Sequence, residues 1–235
     1  QADIVEIGRA LLADPYLPKK ALEGNEEDIT PCLRCYECFG ETGKSETVKC
    51  TVNPTMGQQL ACKFPLPRPG KKKRVLVAGG GPAGMEAAIT AAGRGHMVTL
   101  VEKAGRLGGN LHPAAAPFFK KDIEKLCHVL ESRVKATGVE VVLDTEVTAD
   151  YIKVMAPDAL FVAIGSNELK PPIKGMDGSN VIMAVEAELH PEKLGKKIAI
   201  MGGGLVGAEA AISFAHEGRQ CSIIEMKQEV APEVN

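Results

Sequence analysis

Three observations predict an α/β fold built on parallel strand–helix–strand units. Two glycine-rich turns, Gly79-Gly80-Gly81-Pro82-Ala83-Gly84 and Gly202-Gly203-Gly204-Leu205-Val206-Gly207, are each entered from a short apolar run and followed by an alanine-rich stretch. Each turn has a glutamate eighteen residues beyond its last glycine, Glu102 and Glu225, at the end of a second apolar run. Ahead of both, Cys32, Cys35, Cys38 and Cys50 gather in a segment with little periodicity. Two dinucleotide-type turns beside a group of thiolate ligands point to electron transfer.

The chemistry of such a turn is specific. Its first glycine makes the tight turn, its second lets backbone approach a pyrophosphate, and its third lets helix pack on strand. The helix N-terminus offers unpaired N–H groups and partial positive charge to the phosphates. A carboxylate at the end of the next strand accepts from a ribose diol. One such motif alone is weak evidence. Here strand, turn, helix and acid recur in one register, with Glu86-Ala87-Ala88-Ile89 matching Glu209-Ala210-Ala211-Ile212. The bland alternative, a glycine turn without a nucleotide and a glutamate facing solvent, is weightier for the second copy.

Composition is that of an ordinary water-facing α/β protein: 235 residues, 45% hydrophobic, 25% charged, net charge −2, no Trp. Such a balance argues against nucleic acid as the main partner. No run approaches the ~20 apolar residues of a membrane span, and no signal peptide opens the sequence. Seven cysteines without a secretory context suggest a reducing compartment, so cytoplasm is the expectation. The expected partners are a small-molecule substrate and, at most, further copies in a homo-oligomer. The sequence opens without Met and stops ten residues after Glu225, which leads us to expect a segment of a longer protein.

Taken in order, residues 3–7 read as a short apolar strand and 10–24 as a helix-bearing stretch broken by Pro15 and Pro18. Residues 25–70 hold five of the seven cysteines and five prolines, a composition that needs a metal to organise it. Lys71–Arg74 is a solvated basic run before the first strand. Residues 75–102 form the first strand–helix–strand unit, Arg106–Asn110 a turn, and 113–119 an irregular approach to a helix. Ile123, Leu126, Leu130 and Val134 give that helix one apolar face; Cys127 and His128 beside it read as packing and surface residues. Gly138 ends the helix, and 139–143 is a strand. Residues 159–164 are apolar throughout and suit a strand buried on both faces, ending at Gly165-Ser166. Pro171-Pro172 and Gly175–Gly178 make a loop. Residues 198–225 start the second unit, too short to bury a core of its own.

Three closely spaced cysteines and one remote one are a common way to hold a 4Fe–4S cluster. Zinc more often uses two separated Cys-x-x-Cys pairs, and remains the alternative. Cys62 is a possible fifth ligand but reads as a free loop thiol.

Together these residues resemble the multidomain branch of the old yellow enzyme family, which includes 2,4-dienoyl-CoA reductase, 2-enoate reductase and trimethylamine dehydrogenase. The resemblance runs through the whole chain. Gly8-Arg9-Ala10-Leu11-Leu12-Ala13-Asp14-Pro15 looks like the last strand and loop of a (β/α)8 barrel, where the family's Gly-Arg pair, here Gly8 and Arg9, contacts the FMN phosphate. Pro31-Cys32-Leu33-Arg34-Cys35 through Cys50-Thr51-Val52-Asn53-Pro54 looks like its 4Fe–4S loop. Gly79, Gly81, Pro82, Ala83, Gly84 and Glu102, with Arg106 and Gly109 after them, match its FAD site. Val147 would then lie near the adenine and Gly165 near the pyrophosphate. Gly202, Gly204, Gly207 and Glu225 match its NAD(P)H site.

The implied organisation is residues 1–30 as the end of the barrel, 31–66 as the cluster loop, 67–194 as the first part of a Rossmann-like FAD domain, and 195–235 as the start of an inserted NAD(P) domain. The implied activity passes hydride from NAD(P)H to FAD, and single electrons through the cluster to FMN, which reduces an activated C=C bond. An amine dehydrogenase of the same family would run electrons outward; a non-catalytic redox adaptor or zinc-stabilised loop is the alternative of another class. No catalytic acid is assigned, because the family's substrate pocket lies in the barrel. Glu225 implies NADH over NADPH, with Lys227 and Arg219 near enough in sequence to blur the choice.

Overall fold

The computed structural model describes residues 2–40, 48–58 and 67–232. Cys62 lies outside the described residues, so its reading as a free loop thiol has no structural counterpart. The chain divides into two compact units, Gln1–Leu111 with Asp122–Gly165, and His112–Lys121 with Ser166–Asn235. Contacts thus place residues 166–194 with the second glycine turn.

In the first unit, β1 (Arg74–Ala78), β2 (Met97–Val101), β3 (Glu140–Val142) and β4 (Ala159–Val162) form one sheet in the order β3-β2-β1-β4. Every pair is parallel. The order reverses between β1 and β4, and ligands of open α/β sheets bind beyond the strand ends at that point. Leu76, Val77, Leu100 and Val101 are fully buried, each contributing about 1.5–3 kcal/mol of transfer free energy. The helix after β1 (Pro82–Gly93) covers Val77 and Leu100 with Met85, Ala88 and Ala91. Alanines there let helix and sheet approach closely. The long helix Lys121–Ala136 adds Leu126, Leu130 and Val134, the stripe its spacing predicts, while Cys127 is buried and His128 exposed. Gly138, at φ +73°, turns the chain from this helix into β3.

The N-terminal segment departs from expectation. Residues 3–7 form no strand: Ile4 and Val5 are 88% and 71% exposed, and no neighbour among the described residues offers a ladder. Pro15 does separate two helices, Arg9–Ala13 and Leu17–Leu22, but Pro18 sits in the first turn of the second, where its missing N–H costs nothing. Residues 159–162 do form a strand, yet its faces are exposed, with Phe161 at 48% and Val162 at 66%. Among the described residues β4 pairs with β1 alone, so it is an edge rather than the doubly covered strand its apolar run predicts. The approach to the long helix carries a short helix, Leu111–Ala115.

Buried charge ties the N-terminal segment to the long helix. Asp14, 3% exposed, accepts from Lys20 Nζ at 2.7 Å and from the N–H groups of Tyr16 and Thr30 at 3.0 and 2.9 Å. Arg133 Nε donates to Asp28 Oδ1 at 2.7 Å, and its Nη2 to Asp28 O and Thr30 Oγ1. Leu33 and Val52 pack on the same apolar core as the sheet, and Arg34 pairs with Asp122 at 2.5 Å.

The second unit is smaller. Its sheet pairs β5 (Lys197–Met201) with β6 (Gln220–Ile224) in parallel, joined by the helix Leu205–His216. It does bury a core, contrary to the expectation from its length: Ala187, Ala210 and Phe214 are enclosed with Ile198 and Ile200. Segments distant in sequence supply the missing surface. Ala187 comes from the helix Ala184–Leu189, and in residues 112–121 Phe118 stacks on His216 at 4.0 Å and Lys120 pairs with Glu209 at 2.5 Å. Among the described residues no helix is long and apolar enough to cross a membrane.

Burial pushes the Asp14 carboxyl up, but Lys20 and the N–H groups of Thr30 and Tyr16 outweigh it and hold it below the usual carboxylate range. Its contribution to stability is therefore complete above about pH 4, the unfolded value, and is lost as pH falls through the lower folded value. Asp14→Asn should lower stability at pH 7 by about 1.5–3 kcal/mol. Urea unfolding at pH 7 and pH 3 checks this, the gap to the wild type narrowing at the lower pH.

Candidate nucleotide and metal sites

At the carboxyl end of β1 each glycine of the first turn has its own cause. Gly79 has φ +106°, and a Cβ there would strike the Ala163 carbonyl. Gly84, inside the following helix, would drive a Cβ into the Gly79 carbonyl. Gly81 differs: its φ is −72° and nothing lies within 4 Å of a Cβ built on it. Neither backbone nor packing asks for glycine at this position. What its absent side chain leaves is open space at the N-terminus of a 12-residue helix. That helix has no side-chain cap, whereas Thr148 caps the helix Ala149–Met155 by accepting from Tyr151 N–H at 3.2 Å. A capping side chain is worth about 1 kcal/mol. Leaving it out keeps the first N–H groups available to an anion. Pro82, at the first helical position, and Ala83 are exposed on this mouth.

Glu102 closes the turn from the next strand. Its Oε2 accepts from Gly80 N–H at 2.5 Å and its Oε1 from Ala104 N–H at 2.8 Å, with the residue 8% exposed. A carboxylate has about four lone-pair positions, so acceptor capacity remains for a ribose hydroxyl. Beyond Glu102 the chain folds back. Gly108 N–H donates to Gly80 O at 2.9 Å, and a Cβ on Gly109 would meet Gly81 Cα at 3.1 Å. Arg106 is exposed on this turn. Thr145 N–H donates to Glu102 O at 3.0 Å, which brings half-buried Val147 to the same strand ends. Gly165, at φ +69°, follows the Ala163 carbonyl that faces Gly79. Gly79, Gly81, Glu102, Gly109 and the bend before Gly165 thus meet around the carboxyl end of β1.

The second unit repeats the hydrogen-bond circuit bond for bond. Gly79 N–H donates to Val101 O at 2.8 Å, and Gly202 N–H to Ile224 O at 2.9 Å. Glu225 Oε2 accepts from Gly203 N–H at 2.6 Å and Oε1 from Lys227 N–H at 2.8 Å. Gly202 has φ +101°, Gly207 would put a Cβ into the Gly202 carbonyl, and Gly204 again stands in open space at φ −67°. Even the fold-back recurs: Ala231 N–H donates to Gly203 O at 2.6 Å, with Ala231 at φ +51° where the first unit has Gly108. The N–H groups of Lys227 and Gly203 hold the Glu225 carboxyl below the usual carboxylate range. Arg219, by contrast, is committed to the opposite end of β6. Its guanidinium donates to the carbonyls of Leu194 and Pro191, each at 2.7 Å. It does not blur the charge at Glu225.

Cys32, Cys35, Cys38 and Cys50 are free thiols lining one hollow, together with Arg9, Leu12, Tyr36, Glu37 and Thr51. Arg34 and Tyr36, on either side of Cys35, have φ +57° and +59°. Such left-handed backbone costs about 1–3 kcal/mol per non-glycine residue and clusters at ligand clamps. Asn53 is buried and ties the Cys50 turn down: its Nδ2 donates to Leu12 O at 2.8 Å, and its Oδ1 accepts from Thr55 N–H and Oγ1. Arg9 lies on the hollow with its guanidinium carbon 4.4 Å from the Tyr36 ring centroid. Its Nη1 is buried without an acceptor among the described residues, a deficit of about 1–3 kcal/mol or more for a charged group. Gly8, exposed, precedes it as the cap of a five-residue helix. Asn53 was legible, since Asn-Pro-Thr is a turn whose first side chain bonds forward. Tyr36 and the Arg133–Asp28 tie carry no local signal.

A family description, pyridine nucleotide-disulphide oxidoreductase, matches residues 73–235. The cinnamate reductase of Clostridium sporogenes is 39% identical over 231 residues, 98% of this chain and 34% of that protein. The NADH oxidase of Thermoanaerobacter brockii is 39% identical over 237 residues, 98% of this chain and 36% of that protein. A solved complex of 2-naphthoyl-CoA reductase with 2-naphthoyl-CoA superposes with a TM-score of 0.92 at 35% identity, covering 99% of this chain and 36% of that one. The chain therefore spans about a third of the length of the relatives it matches.

The glycines separate fold from ligand. Gly81→Ala should change stability by no more than about 0.5 kcal/mol. Gly84→Ala should lower it by more than about 1 kcal/mol, through its clash with the Gly79 carbonyl. Thermal unfolding of ligand-free protein measures both. Dinucleotide binding should weaken in Gly81→Ala even though the fold is kept.

Proposed function

The chain belongs to the pyridine nucleotide-disulphide oxidoreductase family, in the segment carried by reductases of the old yellow enzyme family, and we propose that it is the electron-input part of a flavin- and 4Fe–4S-dependent enzyme. On this reading electrons from NAD(P)H serve an FMN-bearing barrel, where an activated C=C bond is reduced. The observation that carries it is the carboxylate-to-glycine circuit, present twice in a chain that also holds a four-thiol hollow. Flavin supplies the link between a two-electron donor and one-electron carriers.

The chain's own residues bind and orient. Gly79–Gly84 present the helix N-terminus to the FAD pyrophosphate, and Glu102 offers its remaining lone pairs to the ribose. Gly109, lying on Gly81, and Val147 and Gly165 complete the walls of that site. Gly202, Gly204 and Gly207 do the same for NAD(P)H. Glu225, kept ionised by its two backbone donors, accepts from a ribose 2′-OH and repels a 2′-phosphate. Cys32, Cys35, Cys38 and Cys50 would ligate the cluster, and Gly8 with Arg9 would face the FMN phosphate.

The complete protein, purified anaerobically, should contain FAD, FMN and about four irons and four sulfides. Stoichiometric zinc without sulfide overturns the cluster. Cys50→Ala should lose the iron while FAD stays bound.

NADH should be preferred over NADPH by roughly tenfold in kcat/KM, about 1.4 kcal/mol. The preference should shrink in Glu225→Ala. Higher efficiency with NADPH in the wild type would mean that Glu225 does not set the choice.

A further inference from the structure

Arg9 is the one residue whose buried donor goes unanswered among the described residues, and the hollow it lines is that of the four cysteines. Its guanidinium is fixed by aromatic faces, 4.4 Å from the Tyr36 centroid and 5.9 Å from that of Phe39. Tyr36 reaches this place on left-handed backbone, φ +59°, directly after Cys35. Among the described residues the other charged side chain on the hollow is Glu37. A buried cationic N–H without an acceptor calls for an acceptor that arrives with a ligand. Thiolate and sulfide sulfur, negatively charged and accepting, are such acceptors.

We propose that Arg9 is a potential-setting residue of the four-cysteine site, its Nη1–H donating to a sulfur of the group held there. The inference rests on the 4Fe–4S reading above and adds a role that reading does not contain. Hydrogen bonds to the sulfurs and nearby charge set the potential of such a centre. A donated N–H and a fixed positive charge both favour the more negative, reduced form. Tyr36 acts through Arg9, holding the guanidinium against the hollow. The donors of Arg9 that do not point inward remain for the FMN phosphate, so one side chain serves both groups.

The test uses the complete holoprotein prepared anaerobically as wild type, Arg9→Lys, Arg9→Gln and Tyr36→Leu. Iron, sulfide and flavin are counted, and the midpoint potential of the cluster is read by redox titration followed by electron paramagnetic resonance. Arg9→Gln should keep iron and sulfide and shift the potential to a more negative value. Arg9→Lys should shift it less, because the charge stays. Tyr36→Leu should shift it in the same direction with Arg9 still present. A wild-type potential in Arg9→Gln with full cluster content overturns the inference, whether or not FMN is lost. If Arg9→Gln cannot hold its iron, an unchanged potential in Tyr36→Leu overturns it instead. Wild-type protein with zinc and no sulfide overturns the cluster reading itself, a result visible before any variant is titrated.

Discussion

A backbone N–H at the second position of each glycine turn is answered by a carboxylate from the next strand, and the rest of each site depends on that bond. Gly80 N–H is buried against Glu102, and Gly203 N–H meets Glu225. Without the carboxylate, Gly80 would leave a buried donor unpaired at about 1–3 kcal/mol. The bond in turn depends on register. Ala78 is opposite Val101 across β1 and β2, which puts Glu102 level with the turn. A slip by one residue would send the carboxylate to the other face of the sheet. The second oxygen of each glutamate binds the N–H two residues on, which starts the fold-back over the turn. One side chain therefore sets the shape of the loop and the charge at its mouth.

That arrangement explains why six glycines do three jobs. Gly79 and Gly202 serve the backbone, at φ +106° and +101°. Gly84 and Gly207 serve packing, since a Cβ on either would enter a turn carbonyl. Gly81 and Gly204 serve neither, and both stand where a helix begins without a side-chain cap. A protein that needed only a turn and a packed helix would place serine or aspartate there and gain stability. Its absence in both units, against the Thr148 cap elsewhere in the same chain, points outward to an anion.

Much of this was legible in the sequence because it is local and periodic. Glycine spacing, the glutamates and the Leu126–Leu130–Val134 stripe each follow from a repeat of known geometry. Features set by distant partners were not. Residues 3–7 look like a strand, but strand formation needs a neighbour, and none of the described residues provides one. The run 159–162 looks buried on both faces, but its position at the sheet edge is decided by the strand order. Ala231, like Gly108, sits at positive φ but is not glycine, so the second fold-back leaves no mark in composition. The Asp14–Lys20–Asp28–Arg133 cluster joins residues about a hundred positions apart, and its members read singly as solvated charges.

Those distant ties bear directly on the cysteine loop. Left-handed Arg34 and Tyr36, four free thiols and an unanswered Arg9 donor make a segment with little stability of its own. It is nevertheless docked. Leu33 and Val52 reach the sheet's apolar core, Arg34 pairs with Asp122, and Arg133 grips Asp28 and Thr30 from the same long helix. The helix that packs against the nucleotide turn's core is thus also the anchor of the thiol loop. This helix therefore fixes the thiol loop relative to the first glycine turn within one compact unit. Its apolar stripe faces the sheet, while Asp122 at one end and Arg133 toward the other hold the loop by charge. A loop secured in this way can tolerate strain and an unpaired cation locally, because neither is what keeps it in place.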